Sequence, residues 1–95
     1  MRLRWAGTAS RHTEEDGDYI AQSSPQAAEP TLSRIRQQIE VLALHPHIGR
    51  LGRVDGTREL AISGSLYIAV YRVQHHELEV VAVLHTSRRW PDKLD

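Results

Sequence analysis

Five apolar residues, Ala28, Leu32, Ile35, Ile39 and Leu42, recur at spacings of 4, 3, 4 and 3. That period writes one apolar stripe along a helix, so the segment must lie against a matching apolar surface. The surface follows in the sequence. Arg58 to Ile62, Leu66 to Val73 and Leu78 to His85 read as three strands, separated by Ser63-Gly64-Ser65 and by Gln74-His75-His76-Glu77. The middle run is apolar without a break from Leu66 to Tyr71, which predicts a central strand covered on both faces. Three successive strands joined by tight turns predict an antiparallel meander with the helix stripe packed on it.

Two elements precede that helix. Met1 to Trp5 alternates apolar and basic residues, as a short strand does, and Ala6-Gly7-Thr8 breaks it. Residues 9–22 are expected to be helical. Their apolar positions are only Ala9, Tyr19, Ile20 and Ala21, with Thr13 and Asp16 where a core face would take Leu or Ile. Gly17 costs such a helix about 1 kcal/mol. Ser23-Ser24-Pro25-Gln26 carries start signals for the second helix, a Ser cap and an early Pro. His45-Pro46 ends it. Pro30 lies beyond the first turn, so either the regular helix starts nearer Pro30 or it kinks there. The expected order is β-α-α-β-β-β, an α+β fold occupying residues 1–95 as a single domain with a helical hairpin on one face of the sheet.

Composition narrows the class. With 40% hydrophobic and 25% charged residues the chain is expected to fold rather than stay disordered. No Phe is present, so the core must be aliphatic, and a core of this size leaves only about 5 kcal/mol of net stability. The absence of Cys excludes disulfides, a thiol nucleophile and Cys-based zinc sites, and fits a reducing cytoplasm. No apolar run approaches the roughly 20 residues that span a bilayer, and Met1-Arg2-Leu3-Arg4 opens no secretory signal, so neither membrane nor export is expected. The formal net charge of zero is unevenly spread: residues 1–11 carry +3, residues 12–29 carry −5 and residues 30–59 carry +2. A local basic surface therefore survives within a neutral total.

The residues able to do chemistry are few. His45-Pro46-His47 and His75-His76 lack the helical i, i+4 spacing and the carboxylate that a metal site would need, so no metal and no cofactor is expected. Gly49-Arg50-Leu51-Gly52-Arg53 lacks the Gly-Lys-Ser/Thr ending of a P-loop and leads out of a helix rather than into one. Arg50 and Arg53 can still contact a phosphate backbone, or the loop is a solvated connector. Arg58 opens one strand, Arg72 ends the next on the side-chain parity of Ile68 and Val70, and His85 ends the last, with Arg88, Arg89 and Trp90 just beyond. Such strand ends would suit RNA backbone cleavage, with Arg stabilising the charged phosphorane and His moving a proton. The competing reading is an anion-binding or protein-binding edge without chemistry.

With these elements in place, the chain resembles the RelE/ParE superfamily of toxins from bacterial type II toxin–antitoxin systems over nearly its whole length. The resemblance rests on Leu3-Arg4-Trp5, Asp18-Tyr19-Ile20-Ala21, Ser24-Pro25-Gln26-Ala27-Ala28 and His45-Pro46-His47-Ile48-Gly49-Arg50. It continues through Gly52 to Leu60, Tyr67 to Val73 and Val83 to Pro91. It implies a small α+β toxin whose working surface is masked by a segment of a cognate antitoxin. RelE-like members cleave mRNA on the ribosome; ParE-like members poison DNA gyrase and have no accepted catalytic site.

Under the nuclease reading, the resemblance makes Arg58, Arg72, His85 and Arg88 the catalytic candidates. It leaves Arg50, Arg53, Arg89 and Trp90 for nucleic-acid or target binding. RelE-like enzymes are rich in Lys, whereas Lys93 is the only one here, and Trp90 stands near the place of their C-terminal Tyr. The ending Leu84-His85-Thr86-Ser87-Arg88-Arg89-Trp90-Pro91 is more similar to the ParE side. The resemblance thus implies growth arrest, through gyrase before the ribosome, with a non-toxic antitoxin-binding module as a further reading. His12, Thr13, Asp16 and Pro30 depart from the pattern and predict a chain of low stability when its antitoxin is absent.

Overall fold

The computed structural model describes residues 1–87, which form two helices on one face of a five-stranded sheet. The elements are β1 (Arg2–Trp5), α1 (Gly7–Ser23), α2 (Pro25–Leu44), β2 (Arg50–Leu51), β3 (Arg58–Ala61), β4 (Tyr67–Gln74) and β5 (Glu77–His85). Strands lie in the order β1-β5-β4-β3-β2. The expected meander is present as β3-β4-β5, antiparallel throughout, with β4 central. The sequence left two features undecided. The basic loop contributes the two-residue strand β2, antiparallel to β3, and β1 pairs parallel with β5, so the sheet is mixed.

The two sheet faces bury different side chains, as a strand period of two requires. Tyr67, Ala69 and Tyr71 of β4 and Leu78, Val80 and Val83 of β5 pack with Ile35, Ile39 and Leu42 of α2. This is the stripe read from the sequence. The opposite face holds a smaller cluster of Ile68, Val70, Val81 and Ala82, roofed in part by Val54 from the loop. β4 is therefore covered on both sides. The ladder between β4 and β5 slips at Val70/Tyr71, a bulge that leaves Val81 as the extra residue. Thr8, in the first turn of α1, donates its hydroxyl to the Val81 carbonyl (3.0 Å), fixing the start of the helix to that bulge.

Helix α1 starts two residues earlier than residues 9–22 imply, and Thr13 and Gly17 have structural accounts. Thr13 is buried and donates to the Ala9 carbonyl (2.9 Å), which satisfies its hydroxyl within the helix. Gly17 is a contact point: a Cβ there would stand 2.9 Å from Leu32 Cδ1, so the glycine lets α1 and α2 approach closely. α2 is helical from Pro25 through Pro30 to Leu44, so the helix does not start nearer Pro30. Ser24 occupies the N-cap without a side-chain cap bond; its carbonyl instead accepts the Ala27 N–H (3.0 Å).

His75 and His76 form the two-residue turn between β4 and β5, both at positive φ (49° and 64°). Two left-handed residues match a type I′ hairpin turn, so this pair is placed by backbone geometry. Among the described residues no cluster of His, Asp or Glu is arranged to hold a metal ion. No described helix is long and apolar enough to cross a membrane.

The buried polar groups of α1 carry a stability prediction. His12 Nδ1 is buried with no hydrogen-bond partner among the described residues. Burial lowers its pKa from 6.5, with Arg11 adding to that and Glu15 opposing it. Folding therefore favours the neutral ring. The stability tied to it is present above pH 6.5 and is lost as pH falls through the lowered folded value. The isolated chain is expected to melt at a low temperature, and lower still at pH 5.5 than at pH 7.5. In His12→Gln the difference between those two pH values should shrink. A sharp, high-temperature transition in calorimetry would contradict the low-stability expectation.

Candidate functional site

The basic loop is organised by an acid. Glu59, on β3, is buried (3% exposed) beneath the loop. Arg50 Nη2 reaches its Oε1 at 3.1 Å, and Arg53 reaches its Oε2 with the backbone N–H at 2.9 Å and with Nε at 3.2 Å. Burial alone would raise the Glu59 carboxyl pKa. The hydrogen bonds of Arg53 and Arg50 and the charge of Arg53 outweigh it and hold the group below its ordinary value. Arg50 and Arg53 stay more than half exposed, but together with Glu59 they amount to one net positive charge rather than two.

A second clasp holds the entry to the loop. Tyr71 is fully buried on β4; its hydroxyl accepts the Gly49 N–H (3.0 Å) and donates to the Pro46 carbonyl (2.8 Å). Burial pushes the Tyr71 phenol up, against the opposing effects of the Gly49 N–H and the Arg58 charge. Arg58, whose backbone pairs with Tyr71 across the ladder, donates Nη1 to the carbonyls of Gly49 (2.8 Å) and His47 (3.4 Å). The guanidinium that opens β3 thus ties the backbone of the loop entry to the sheet.

The remaining candidates lie elsewhere. Arg72 projects on the face opposite the helices, where its Nε meets Glu79 Oε1 at 3.1 Å; Arg4 shares that acid at 3.1 Å and also reaches Glu77 at 3.6 Å. His85 is paired with Tyr67 across the ladder and its ring stands edge-on to the Tyr67 ring at 5.2 Å. Its Nδ1 accepts the Ser87 N–H (3.1 Å), with Ser87 Oγ 2.8 Å away. Arg72 and His85 belong to opposite faces. They are separated along the strands by the five residue steps from Tyr67 to Arg72, roughly 16 Å at about 3.3 Å per step.

The structure therefore brings together Arg50, Arg53 and Glu59, and separately Arg58 with the 47–49 carbonyls. It does not bring Arg58, Arg72 and His85 into one cluster. Arg88, Arg89 and Trp90 lie outside the described residues. Residue reasoning passed over Glu59 as an organiser and Tyr71 as an anchor. A lone acid on the strand after three arginines and two glycines was the available signal, and it becomes decisive only when β2 folds back on β3.

The arrangement has relatives. The family of ParE toxins of type II toxin–antitoxin systems, parDE, matches residues 3–90. Y4kP, a candidate toxin of Sinorhizobium fredii (strain NBRC 101917 / NGR234), is 38% identical over 93 residues, covering 98% of this chain and 96% of that protein. A chain from the chromosomal ParDE TA system of P. aeruginosa superposes with a TM-score of 0.84 at 22% identity, covering 92% of this chain and 97% of that one, a likeness of fold. The family match spans both helices and every strand from β1's Leu3 onward, and on it the chain belongs to the ParE toxin family of type II toxin–antitoxin systems.

Proposed function

We propose that this chain, as one toxin domain working in the cytoplasm, arrests growth by binding a protein target, DNA gyrase, and is neutralised by a cognate antitoxin. The observation that carries the choice of target is the dispersal of Arg58, Arg72 and His85. General acid–base work on a phosphodiester needs donor, acceptor and charge stabiliser within hydrogen-bond reach of one phosphate. Here Arg58 is committed to loop carbonyls, Arg72 to Glu79, and His85 to the other end and other face of the sheet. A surface of that kind supports binding more readily than cleavage. Family membership and the likeness to Y4kP support the toxin role.

The test is supercoiling of relaxed plasmid by purified gyrase with the purified chain added. Inhibition is expected, and it should persist within a few-fold in Arg72→Ala and in His85→Ala. If the chain leaves gyrase untouched and cuts mRNA on purified ribosomes, with cutting lost in His85→Ala, the endoribonuclease reading replaces this one. Tight antitoxin binding with neither effect would leave a binding module.

A further inference from the structure

Exposed apolar side chains gather at the end of the sheet where β2 lies. Among the described residues the exposed large hydrophobics are Met1, Tyr19, Val41, Leu44, Ile48, Leu51 and Leu66, so most of them fall between Val41 and Leu51. Ile48 is 55% exposed and Leu51 77%. Single exposed leucines need no explanation, whereas a cluster marks a surface that another molecule covers.

The edge beside them is open. β2 pairs only with Arg58 and Glu59, so among the described residues no strand lies on the outer side of Leu60 and Ala61. A cavity of about 300 Å³ lies at that gap, lined by Ile48, Leu60, Ala61 and Ile68 together with Arg50 and Glu59. Arg50 and Arg53 already engage the Glu59 carboxylate, yet both guanidiniums stay more than half exposed and one positive charge is left over. Arg50 stands opposite Glu59 and Leu51 opposite Arg58, so their side chains leave opposite sides of one edge. A folded partner covering about 800 Å² of this chain spans both sides.

This surface is set before any partner arrives. Glu59 accepts the Arg53 N–H, the Tyr71 hydroxyl holds Gly49 and Pro46, and Arg58 holds the Gly49 carbonyl. A loop already fixed in the free chain loses little freedom on docking, which suits contact with a folded protein. A second copy meeting this edge about a two-fold axis would bring Arg50 and Arg53 against the same two residues. Like charges facing each other oppose that pairing.

We propose that the β2 end of the sheet, from Ile48 to Arg53 with the cavity beside Ala61, docks on the folded protein target of the toxin. The target presents there an apolar projection flanked by carboxylates. Its apolar part enters the cavity and covers Ile48 and Leu51, and its acids meet Arg50 and Arg53. The proposal rests on the reading of the chain as an inhibitor of a protein target, and it adds the surface and the chemistry of the partner.

The probe is purified gyrase, with half-inhibition of supercoiling measured for the parent chain and for single variants. Ile48→Ser and Leu51→Glu should each need at least about tenfold more protein. Leu51→Arg keeps the sign of the rim and should lose severalfold less than Leu51→Glu. Leu66→Ser, at an exposed position near the far end of β4, should stay within about twofold of the parent. Circular dichroism checks the fold of each variant; if Ile48→Ser melts early, the two Leu51 variants carry the test. Parent-like inhibition by the folded variants overturns the proposal, and equal losses in Leu51→Glu and Leu51→Arg overturn the acidic partner. Growth after induction separates this failure from that of the gyrase reading. If the parent arrests growth without inhibiting gyrase, gyrase alone is refuted, and the variants are scored by growth at matched soluble levels. Loss of arrest then upholds the surface and retained arrest overturns it, as does a parent that arrests nothing. A parent dimer in sedimentation that Leu51→Glu splits assigns the edge to a second copy and overturns the choice of partner.

Discussion

Glu59→Gln should lower stability by about 2–3 kcal/mol, a fall in melting temperature of roughly 10–20 °C for a domain of this size. The amide keeps the shape but replaces a carboxylate that accepts from Arg50 and Arg53 at 2.9–3.2 Å with a group that can accept on one oxygen only. Its NH2 then faces a guanidinium inside a buried pocket. The effect has a pH signature. Because the Glu59 pKa is lowered in the folded state, its stabilisation is present above pH 4.5 and is lost as pH falls through the folded value. The gap between parent and variant should therefore be full at pH 7 and narrow below pH 4.5. Chemical denaturation at pH 7 and at pH 3.5 measures both. An equal gap at the two pH values would show that the carboxylate charge is not what holds the loop.

Gly49→Val should cost more, about 3 kcal/mol or above, and should release the loop from the sheet. A Cβ on Gly49 would stand 2.8 Å from Tyr71 Cε1 and 2.9 Å from the Glu59 carbonyl oxygen, and would also crowd the Tyr71 hydroxyl. The last two are fixed: one is backbone of β3 and the other is anchored to the Pro46 carbonyl. Relief requires the loop to move outward, which breaks the Gly49–Tyr71 hydrogen bond and the Arg58 contact with the Gly49 carbonyl. Tyr71→Phe serves as the companion. It makes room at the hydroxyl but leaves the Gly49 N–H and Pro46 carbonyl without that partner, at about 1–2 kcal/mol. Faster hydrogen exchange through residues 47–53 in both variants is the shared readout. A Gly49→Val variant as stable as the parent would refute the close approach.

These two clasps show where the sequence was readable and where it was not. The helix stripe of Leu32, Ile35, Ile39 and Leu42 and the apolar run of β4 each write a period along the chain, so α2, the meander and the face of Arg72 could be placed from spacing alone. The partner of β1 could not. Parallel pairing with β5 joins residues more than seventy positions apart, and nothing local in Arg2–Trp5 encodes it. The same holds for Glu59. In the sequence the stretch from Arg50 to Arg58 reads as a basic loop; only the β2–β3 register, which sets Arg50 opposite Glu59, turns it into a clasp with one net positive charge. Thr13 and Gly17 look like defects in α1 because helix propensity ignores what the helix touches. For the candidate site, Arg58 opens β3 and His85 closes β5 as the spacing implies, whereas β4 runs two residues past Arg72, and the hydrogen-bond partners of all three are tertiary facts.

The separation of those three side chains is what favours a bound target over a cut RNA, and one measurement tests it most directly. Labelled thymidine and labelled methionine incorporation would be followed in parallel in a bacterial host after induction of the chain without antitoxin. The account predicts that thymidine incorporation falls first while methionine incorporation continues. It also predicts that Arg72→Ala and His85→Ala, expressed at the same level, give the same order. Methionine incorporation falling first, with the fall abolished in His85→Ala, would contradict it and make the dispersed arginines and histidine parts of a nuclease completed on the ribosome.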